Sequence, residues 1–289
     1  MLRRCVNIAK VYSRLPKRFT QTKRILVNFA AMNKLLYPIN LLVHRIKALY
    51  LKGSGTFIFN FQINVLNDTL VNTDFEKIEN RRSILLQDST PLPSVDFGAG
   101  SKKKSTNRTI GDITRIASVN DRYGRLLYRL ARYYNPSRII ELGTAAGISA
   151  QYLATGSPHS EVITVEGNPY LAELASQNFR INRIKNITVI NSSFDDVLPQ
   201  LVNYIKPGDI VYIDGNHTSE ATWRYFSAFT AMDKKPILVF DDINWSHDMR
   251  SVWKKIRSHA MQGIIIDMFH MGIYFKNLSV PKQIIRISY

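Results

Sequence analysis

From residue 138 onward the chain alternates apolar segments with segments of helical spacing, and this alternation constrains the fold more than any other feature. The apolar segments predict strands at 138–142, 161–166, 187–191, 209–214 and 237–240. The intervening segments predict helices at 149–154, 169–181, 195–203 and 219–230. Because several strands are apolar throughout, we expect a doubly wound α/β sheet covered on both faces. Segments 263–269 and 272–276 predict an antiparallel pair that closes this sheet.

The first predicted strand leads into a turn that contains two glycines, Gly143 and Gly147. Gly143 allows the chain to turn at low steric cost. Gly147 predicts a close approach of the backbone to a ligand, at a helix start whose free N–H groups point outward. Ligands of doubly wound folds bind beyond the carboxyl ends of the strands. We therefore predict that residues 143–147, the glycine turn, form part of a ligand site.

Acidic residues stand at or just after the ends of the predicted strands. They are Glu141, Glu166, Asp195, Asp214 and the pair Asp241–Asp242. Glu166 occupies the position at which an acid binds the two hydroxyls of a ribose. The turn lacks the G-x-G-x-x-G pattern of dinucleotide enzymes, and Glu141 would repel a pyrophosphate but attract an ammonium group. S-adenosylmethionine (SAM) has both an amino-acid head group and a ribose.

At these residues the chain resembles the class I SAM-dependent methyltransferases, over about residues 120–276. The resemblance rests on Glu141–Gly147, Val165–Gly167, Ser193–Asp195, Val211–His217 and Val239–Ile243. It implies a Rossmann-like sheet, mostly parallel with an antiparallel C-terminal strand, and a transferase that uses SAM. It also implies the cofactor-binding residues, which are Glu141, Gly143, Thr144, Gly147, Ser149, Glu166, Gly167, Ser193, Asp195 and Asp214. Glu166 would bind the ribose and Asp195 the adenine amine, with Asp196 as an alternative to Asp195.

Three carboxylates predict a metal site, because Mg²⁺ prefers hard oxygen ligands. Asp214, Asp241 and Asp242 stand where metal-dependent O-methyltransferases of the catechol and sugar or macrolide type place acids. A metal there would lower the pKa of an acceptor hydroxyl, and Asp214 or His217 would accept its proton. The alternatives are an Asx-type turn at Asp214–His217 and a helix cap at Asp241 or Asp242. Three aromatic residues are candidates for the acceptor pocket, although core packing is favoured for each: Trp223, Tyr225 and Trp245.

The amino-terminal part of the chain differs in composition. The formal charge is +17, and residues 1–67 hold twelve Lys and Arg but no Asp or Glu. We expect a basic, poorly ordered extension at 1–31, with Met32 as an alternative start, then a helical segment at 32–119 and a methyltransferase domain at 120–289. The predicted helices before the sheet are 33–52, 57–70, 74–86, 110–117 and 123–134, with a loop at 94–109. The chain from residue 33 also resembles a group of bacterial class I methyltransferases that share this helical segment and an Asp-Phe-Gly-Ala-Gly-Ser loop.

These features predict a SAM-dependent methyltransferase that acts on a hydroxyl of a small molecule, with or without Mg²⁺. An RNA-directed methyltransferase that docks through the basic amino terminus and a non-catalytic SAM-binding protein are the alternatives. The single cysteine, Cys5, excludes an internal disulfide and favours the cytoplasm. The chain has no apolar run of about 18 residues, so no membrane-spanning helix is predicted. The oligomeric state is left open, with a homodimer as one alternative.

Overall fold

The computed structural model of the protein describes residues 38–39, 41–42, 55–67, 73–93, 108–231 and 234–289. The predicted extension at 1–31 lies outside these residues, as do most of the predicted helix at 33–52 and most of the loop at 94–109. The predicted domain boundaries stay predictions. Within the described ranges, no helix is long and apolar enough to span a membrane.

Eight strands of the described chain form one sheet in the order β3-β2-β1-β4-β5-β7-β6-β8. They are β1 Arg138–Leu142, β2 Glu161–Glu166, β3 Ile187–Asn191, β4 Ile210–Ile213, β5 Ile237–Phe240, β6 Ile264–Asp267, β7 Gly272–Phe275 and β8 Gln283–Arg286. Strands β1 to β5 are parallel to one another, and β7 is antiparallel to both of its neighbours. The mostly parallel α/β sheet predicted from the sequence is confirmed.

The antiparallel pair does not close the sheet, because β8 follows it and pairs in parallel with β6. Strand β8 was not predicted; its residues include one buried side chain and three that are half-buried or exposed. A strand of this kind at the sheet edge lacks the continuous apolar character on which the other strands were predicted.

Nine α-helices and one π-helical turn, Gln62–Leu66, accompany the sheet in the described residues. The helices are α1 Gly55–Phe61, α2 Thr73–Leu86, α3 Ile110–Ala117, α4 Asp121–Tyr134, α5 Ile148–Gly156, α6 Pro169–Ile181, α7 Phe194–Tyr204, α8 Ser219–Ala231 and α9 His247–His259. The start of helix α6 was predictable from the sequence, because Asn168 caps its first N–H groups and Pro169 occupies its first turn. The bounds of helix α9 were not predicted, and its N-cap is Ser246, not Asp241 or Asp242. The helix is polar except for a buried stripe that includes Val252 and Trp253.

The core occupies both faces of the sheet. On one face, α1, α2, α4 and α5 pack against side chains such as Ile139 and Ile210. On the other face, α7, α8 and α9 pack against the alternate side chains, such as Ile140 and Val211. The amino-terminal helices α1 and α2 thus share a core with the helix that follows the glycine turn.

Candidate active site

A cavity of about 420 Å³ opens at the carboxyl edge of the parallel strands. Its walls include the glycine turn, the end of β2 and the segments after β4 and β5. Five acids or turn residues predicted from the sequence line it: Gly143, Glu166, Asp214, Asp241 and Asp242. The topology of a doubly wound sheet therefore brings together side chains that are up to about one hundred residues apart in the chain.

The glycine turn has a backbone that most side chains would not tolerate. Gly143 has a φ of 111°, and a Cβ atom there would lie 2.4 Å from the Asp214 carbonyl oxygen. Ala145 has a φ of 46° despite its side chain. Gly147 has a φ of 77°, and a Cβ there would lie 2.6 Å from the Phe179 ring. Gly147 is not in the cavity lining, and its missing side chain allows α5 to pack on α6; the predicted approach of its backbone to a ligand stays a prediction.

Glu141 lies beneath the turn and is fully buried. The Thr164 hydroxyl donates to Glu141 Oε2 at 2.5 Å, and Thr144 Oγ1 lies 2.6 Å from Thr164 Oγ1. Burial raises the pKa of Glu141 to about 7, although the nearby Ser149 and Thr164 hydroxyls lower it. Its Oε1 has no hydrogen-bond partner among the described residues. Thr144 and Ser149 are also buried, and these three predicted cofactor residues support the turn without lining the cavity.

Glu166 stands in the cavity wall, and its carboxylate is held by backbone groups. Ala145 N–H donates to Oε2 and Asn168 N–H donates to Oε1, each at 2.9 Å. These two contacts fix the carboxylate orientation between the glycine turn and the start of α6. Gly167 accepts a hydrogen bond from Asn191 through its carbonyl oxygen and is not part of the cavity lining.

The predicted adenine segment reaches the cavity through Phe194. Ser193 is the N-cap of α7, and its hydroxyl donates to Asp196. Asp195 points elsewhere, because both of its carboxylate oxygens accept from the Arg224 guanidinium at 2.8 Å. The structure therefore brings an aromatic ring to the cavity where the resemblance implied a serine and a carboxylate.

The acid cluster, Asp214, Asp241 and Asp242, also lines the cavity. His217 Nε2 is 3.7 Å from Asp214 Oδ1 and 4.0 Å from Asp242 Oδ2. Burial raises the pKa of each carboxyl, to about 7 for Asp242, and repulsion by Asp241 raises the pKa values of Asp214 and Asp242 further. Burial lowers the pKa of His217 below its ordinary value of 6.5. This cluster is thus a site at which a proton or a cation is strongly stabilised.

Two residues of this site, Tyr212 and His270, were not predicted from the sequence. Tyr212 is fully buried, and its hydroxyl donates to Asp241 Oδ2 at 2.6 Å and lies 3.2 Å from Asp214 Oδ2. His270 lines the cavity from the turn between β6 and β7, with its ring edge-on to that of Tyr123. Tyr212 lies within the apolar run of β4, where its sequence context is that of a core residue. His270 follows a strand that contributes no other residue to the cavity. Neither residue therefore stands in a sequence pattern that indicates a binding site.

The three aromatic candidates for the acceptor pocket do not line the cavity. Trp223 packs against Phe226 and His259, and Tyr225 is fully buried beside Phe194. Core packing, the favoured interpretation, is therefore right for these two. Trp245 is 65% exposed and belongs to neither the core nor the cavity.

In the part of the chain that the structure describes, no group of three or more His, Cys, Asp and Glu side chains is arranged to hold a metal ion. Asp241 has other partners, because its Oδ2 accepts from Tyr212 and its Oδ1 accepts from the Asp242 N–H. The Mg²⁺ site at Asp214, Asp241 and Asp242 stays a prediction.

Comparisons with known proteins agree with the fold. Residues 140–243 match the family described as "Methyltransferase domain". The chain is 30% identical over 134 residues to a catechol O-methyltransferase of Mycobacterium tuberculosis, covering 46% of this chain and 59% of that protein. It is 33% identical over 102 residues to a catechol O-methyltransferase of Niastella koreensis, covering 34% and 46%. The chain thus spans about half the length of these relatives.

Solved structures show the same fold at low sequence identity. An O-methyltransferase from Bacillus cereus in complex with S-adenosylhomocysteine (SAH) has a TM-score of 0.50 at 18% identity, covering 76% of this chain and 98% of that one. An SAH-bound methyltransferase from Podospora anserina has a TM-score of 0.51 at 13% identity, covering 78% and 98%. Together with the strand order, these similarities show that the described chain has the fold of methyltransferases, and the family match identifies a methyltransferase domain at residues 140–243.

Proposed function

We propose that the protein transfers a methyl group from SAM to a hydroxyl oxygen of a small molecule. One observation carries the proposal: a single cavity is lined by the glycine turn and Glu166 and also by His217 and the acid cluster. The glycine turn and Glu166 have the features expected for a nucleoside with an amino-acid head group. His217 and the acid cluster supply a base and a negative field suited to a cationic methyl donor.

The described residues fit SAM on several counts. Glu166 presents an oriented carboxylate for the ribose hydroxyls, and Phe194 presents an aromatic face for the adenine. Gly143 and Ala145 leave room at the turn for the methionine part. The acid cluster and Glu141 together form a region whose carboxyl groups repel one another, and a sulfonium or ammonium group nearby would relieve this repulsion.

The transfer itself is one in-line displacement. The acceptor oxygen forms a bond to the methyl carbon while the carbon–sulfur bond breaks, and the electron pair of that bond stays on sulfur to give SAH. The proton of the hydroxyl goes to His217 Nε2, which is available as a base because burial favours the neutral imidazole. Asp214, 3.7 Å away, would stabilise the resulting imidazolium. The protein contributes chiefly positioning and electrostatics.

The remaining cavity wall favours a small aromatic acceptor with more than one oxygen. Ile116 of α3, Tyr123 of α4 and Val119 between them line it, and the β6–β7 turn contributes His270. An apolar wall suits a ring, and the histidine beside Tyr123 supplies a polar group for a second substituent. Two relatives are named catechol O-methyltransferase, so catechols are the acceptors to test first.

Two measurements test the proposal. Titration calorimetry with SAH should give a 1:1 complex, and Glu166→Gln should weaken it by roughly tenfold, the scale of one hydrogen bond to a charged group. Incubation with methyl-labelled SAM and 3,4-dihydroxybenzoate should transfer label to a phenolic oxygen. Absence of SAH binding by the wild-type protein would refute the proposal. Binding without transfer to any of a panel of phenols and sugars would favour the non-catalytic SAM-binding alternative.

Several earlier expectations stay predictions. Magnesium dependence predicts loss of activity in EDTA and in Asp241→Ala. An RNA acceptor predicts salt-sensitive RNA binding that disappears when residues 1–67 are removed, because phosphate contacts release counterions. A cytoplasmic location and a homodimer also await direct measurement.

A further inference from the structure

Helix α2 contacts the glycine turn through one buried amide. Arg81 Nε donates to Asn178 Oδ1 at 2.6 Å, and Asn178 Nδ2 donates to the Ala146 carbonyl oxygen at 2.9 Å. Asn178 belongs to α6 and is fully buried. The amide orientation is unambiguous, because an arginine side chain only donates and a carbonyl only accepts. Arg81 is half-buried at the surface of α2, 97 residues before Asn178.

The carbonyl held by Asn178 lies two peptide units after the N–H that positions the ribose carboxylate. Ala146 follows Ala145, whose N–H donates to Glu166 Oε2 at 2.9 Å. Ala145 has a positive φ of 46°, a conformation that persists in a residue with a side chain only when its surroundings hold it. The Glu166 carboxylate holds the turn on the cavity side, and the Asn178 amide holds it on the side that faces α2.

A second contact joins α2 to the helix that leaves the turn. The Tyr152 hydroxyl of α5 donates to Glu79 Oε1 at 2.7 Å, and Glu79 also pairs with Arg82 at 3.0 Å. Glu79 and Arg81 therefore contact α5 and α6, the two helices on either side of the turn. Helix α2 lies outside the matched region 140–243, and nothing in its own sequence suggests a role at the cofactor.

We propose that Arg81 and Asn178 are positioning residues for the cofactor, through which α2 sets the affinity of the site for SAM. The inference rests on the proposed function. Without the Arg81 donor, the Asn178 amide is free to turn, and the Ala146 carbonyl loses its partner. Ala145 then relaxes from its left-handed conformation, and its N–H withdraws from Glu166. The ribose carboxylate loses its orientation, although no group that touches the cofactor has changed.

The test compares variants of α2 in the full chain. Arg81→Met removes the donor and keeps the length of the side chain, and Arg81→Lys restores a cation at the same place. Lys77→Met is the matched control, since Lys77 lies one turn earlier, is exposed and pairs only with Asp74. Arg138→Met is the stability control, because its ion pair with Glu161 and its stacking on Tyr204 lie at the opposite edge of the sheet.

We expect Arg81→Met to raise the Kd for SAH by roughly tenfold, the scale of a lost hydrogen bond to a charged donor. Arg81→Lys should recover part of this loss, and the KM for SAM should rise while the KM for 3,4-dihydroxybenzoate stays constant. Lys77→Met and Arg138→Met should bind SAH as the wild type does, when each protein is measured well below its own Tm.

Two outcomes would overturn the inference. In the first, Arg81→Met binds SAH with wild-type affinity. In the second, Arg138→Met loses as much affinity as Arg81→Met, which would make the effect one of general stability. If the wild-type protein itself does not bind SAH, the proposed function fails. If the wild type binds SAH and either outcome above is found, only the inference about Arg81 fails, so the two failures are distinguishable. Amide hydrogen exchange at Ala145, faster in Arg81→Met only, is a readout that does not require activity.

Discussion

The Tyr212 hydroxyl donates to the Asp241 carboxylate across the boundary between β4 and β5, at 2.6 Å. Tyr212 is fully buried, and its contact lowers the pKa of Asp241 against the larger effect of burial, which raises it. The tyrosine therefore stabilises a negative charge at a position that is only partly accessible to water.

Replacing Tyr212 by phenylalanine should destabilise the protein in a pH-dependent way. The carboxylate of Asp241 would lose its donor, at a cost of about 1–3 kcal/mol. This cost applies to the ionised carboxylate, so it should be larger at pH 8 than at pH 5. Urea unfolding at the two pH values checks the prediction. Tyr274→Phe is the control, because the Tyr274 hydroxyl donates only to the Gln262 carbonyl oxygen, and an equal loss at both pH values in Tyr212→Phe would contradict it.

Glu141→Gln should make the protein more stable above neutral pH. The folded-state pKa of Glu141 is raised from 4.5 to about 7 by burial, so the ionised form is disfavoured in the folded protein. Wild-type stability therefore falls as the pH rises from about 4.5 through about 7, by at most about 3 kcal/mol. Glutamine has no such dependence and still accepts from Thr164. The gain in Tm of the variant over the wild type should be small at pH 5 and larger at pH 8. A difference in Tm that is the same at both pH values would argue against a raised pKa of Glu141.

His217→Gln should lower kcat by about 10²- to 10⁴-fold, the usual range for a general base, and leave the Kd for SAH unchanged. Burial lowers the pKa of His217, so wild-type kcat should be nearly constant above pH 7 and fall below an inflection that lies under 6.5. Rate measurements between pH 5 and 9 check both statements. His247→Gln is the control, because His247 is exposed at the start of α9. If kcat of His217→Gln still falls at acidic pH as that of the wild type does, His217 is excluded as the titrating base.

Gly147→Ala should cost more stability than Gly208→Ala. Both glycines have a positive φ, 77° and 84°, so each substitution carries a backbone penalty of roughly 1 kcal/mol. A Cβ at Gly147 also meets the Phe179 ring at 2.6 Å, whereas nothing lies within 4 Å of a Cβ at Gly208. The difference between the two unfolding free energies isolates the steric part. Equal losses would mean that Phe179 moves aside freely.

The match between prediction and structure is best where a segment is buried on both faces. Strands β1, β2 and β5 have the predicted bounds, because a central parallel strand is largely apolar and ends where the chain returns to solvent. The edge strand β3 also has the predicted bounds, although none of its residues is buried. Helices α3 and α6 also have the predicted bounds, since Thr109 and Asn168 supply caps that are visible in the sequence. The edge strand β8 and the polar helix α9 have weaker patterns and were missed.

The sequence by itself determined the class of fold and the positions of Glu166, Asp214, Asp241 and Asp242, since these depend on local strand and turn chemistry. Only the tertiary structure decided which side chains enter the cavity. It turned Asp195 to Arg224, placed Phe194 and His270 in the wall, and joined Asp241 to Tyr212. The reason is physical: strand order and helix packing bring distant segments within hydrogen-bonding distance, and no local pattern records which partner a side chain will meet.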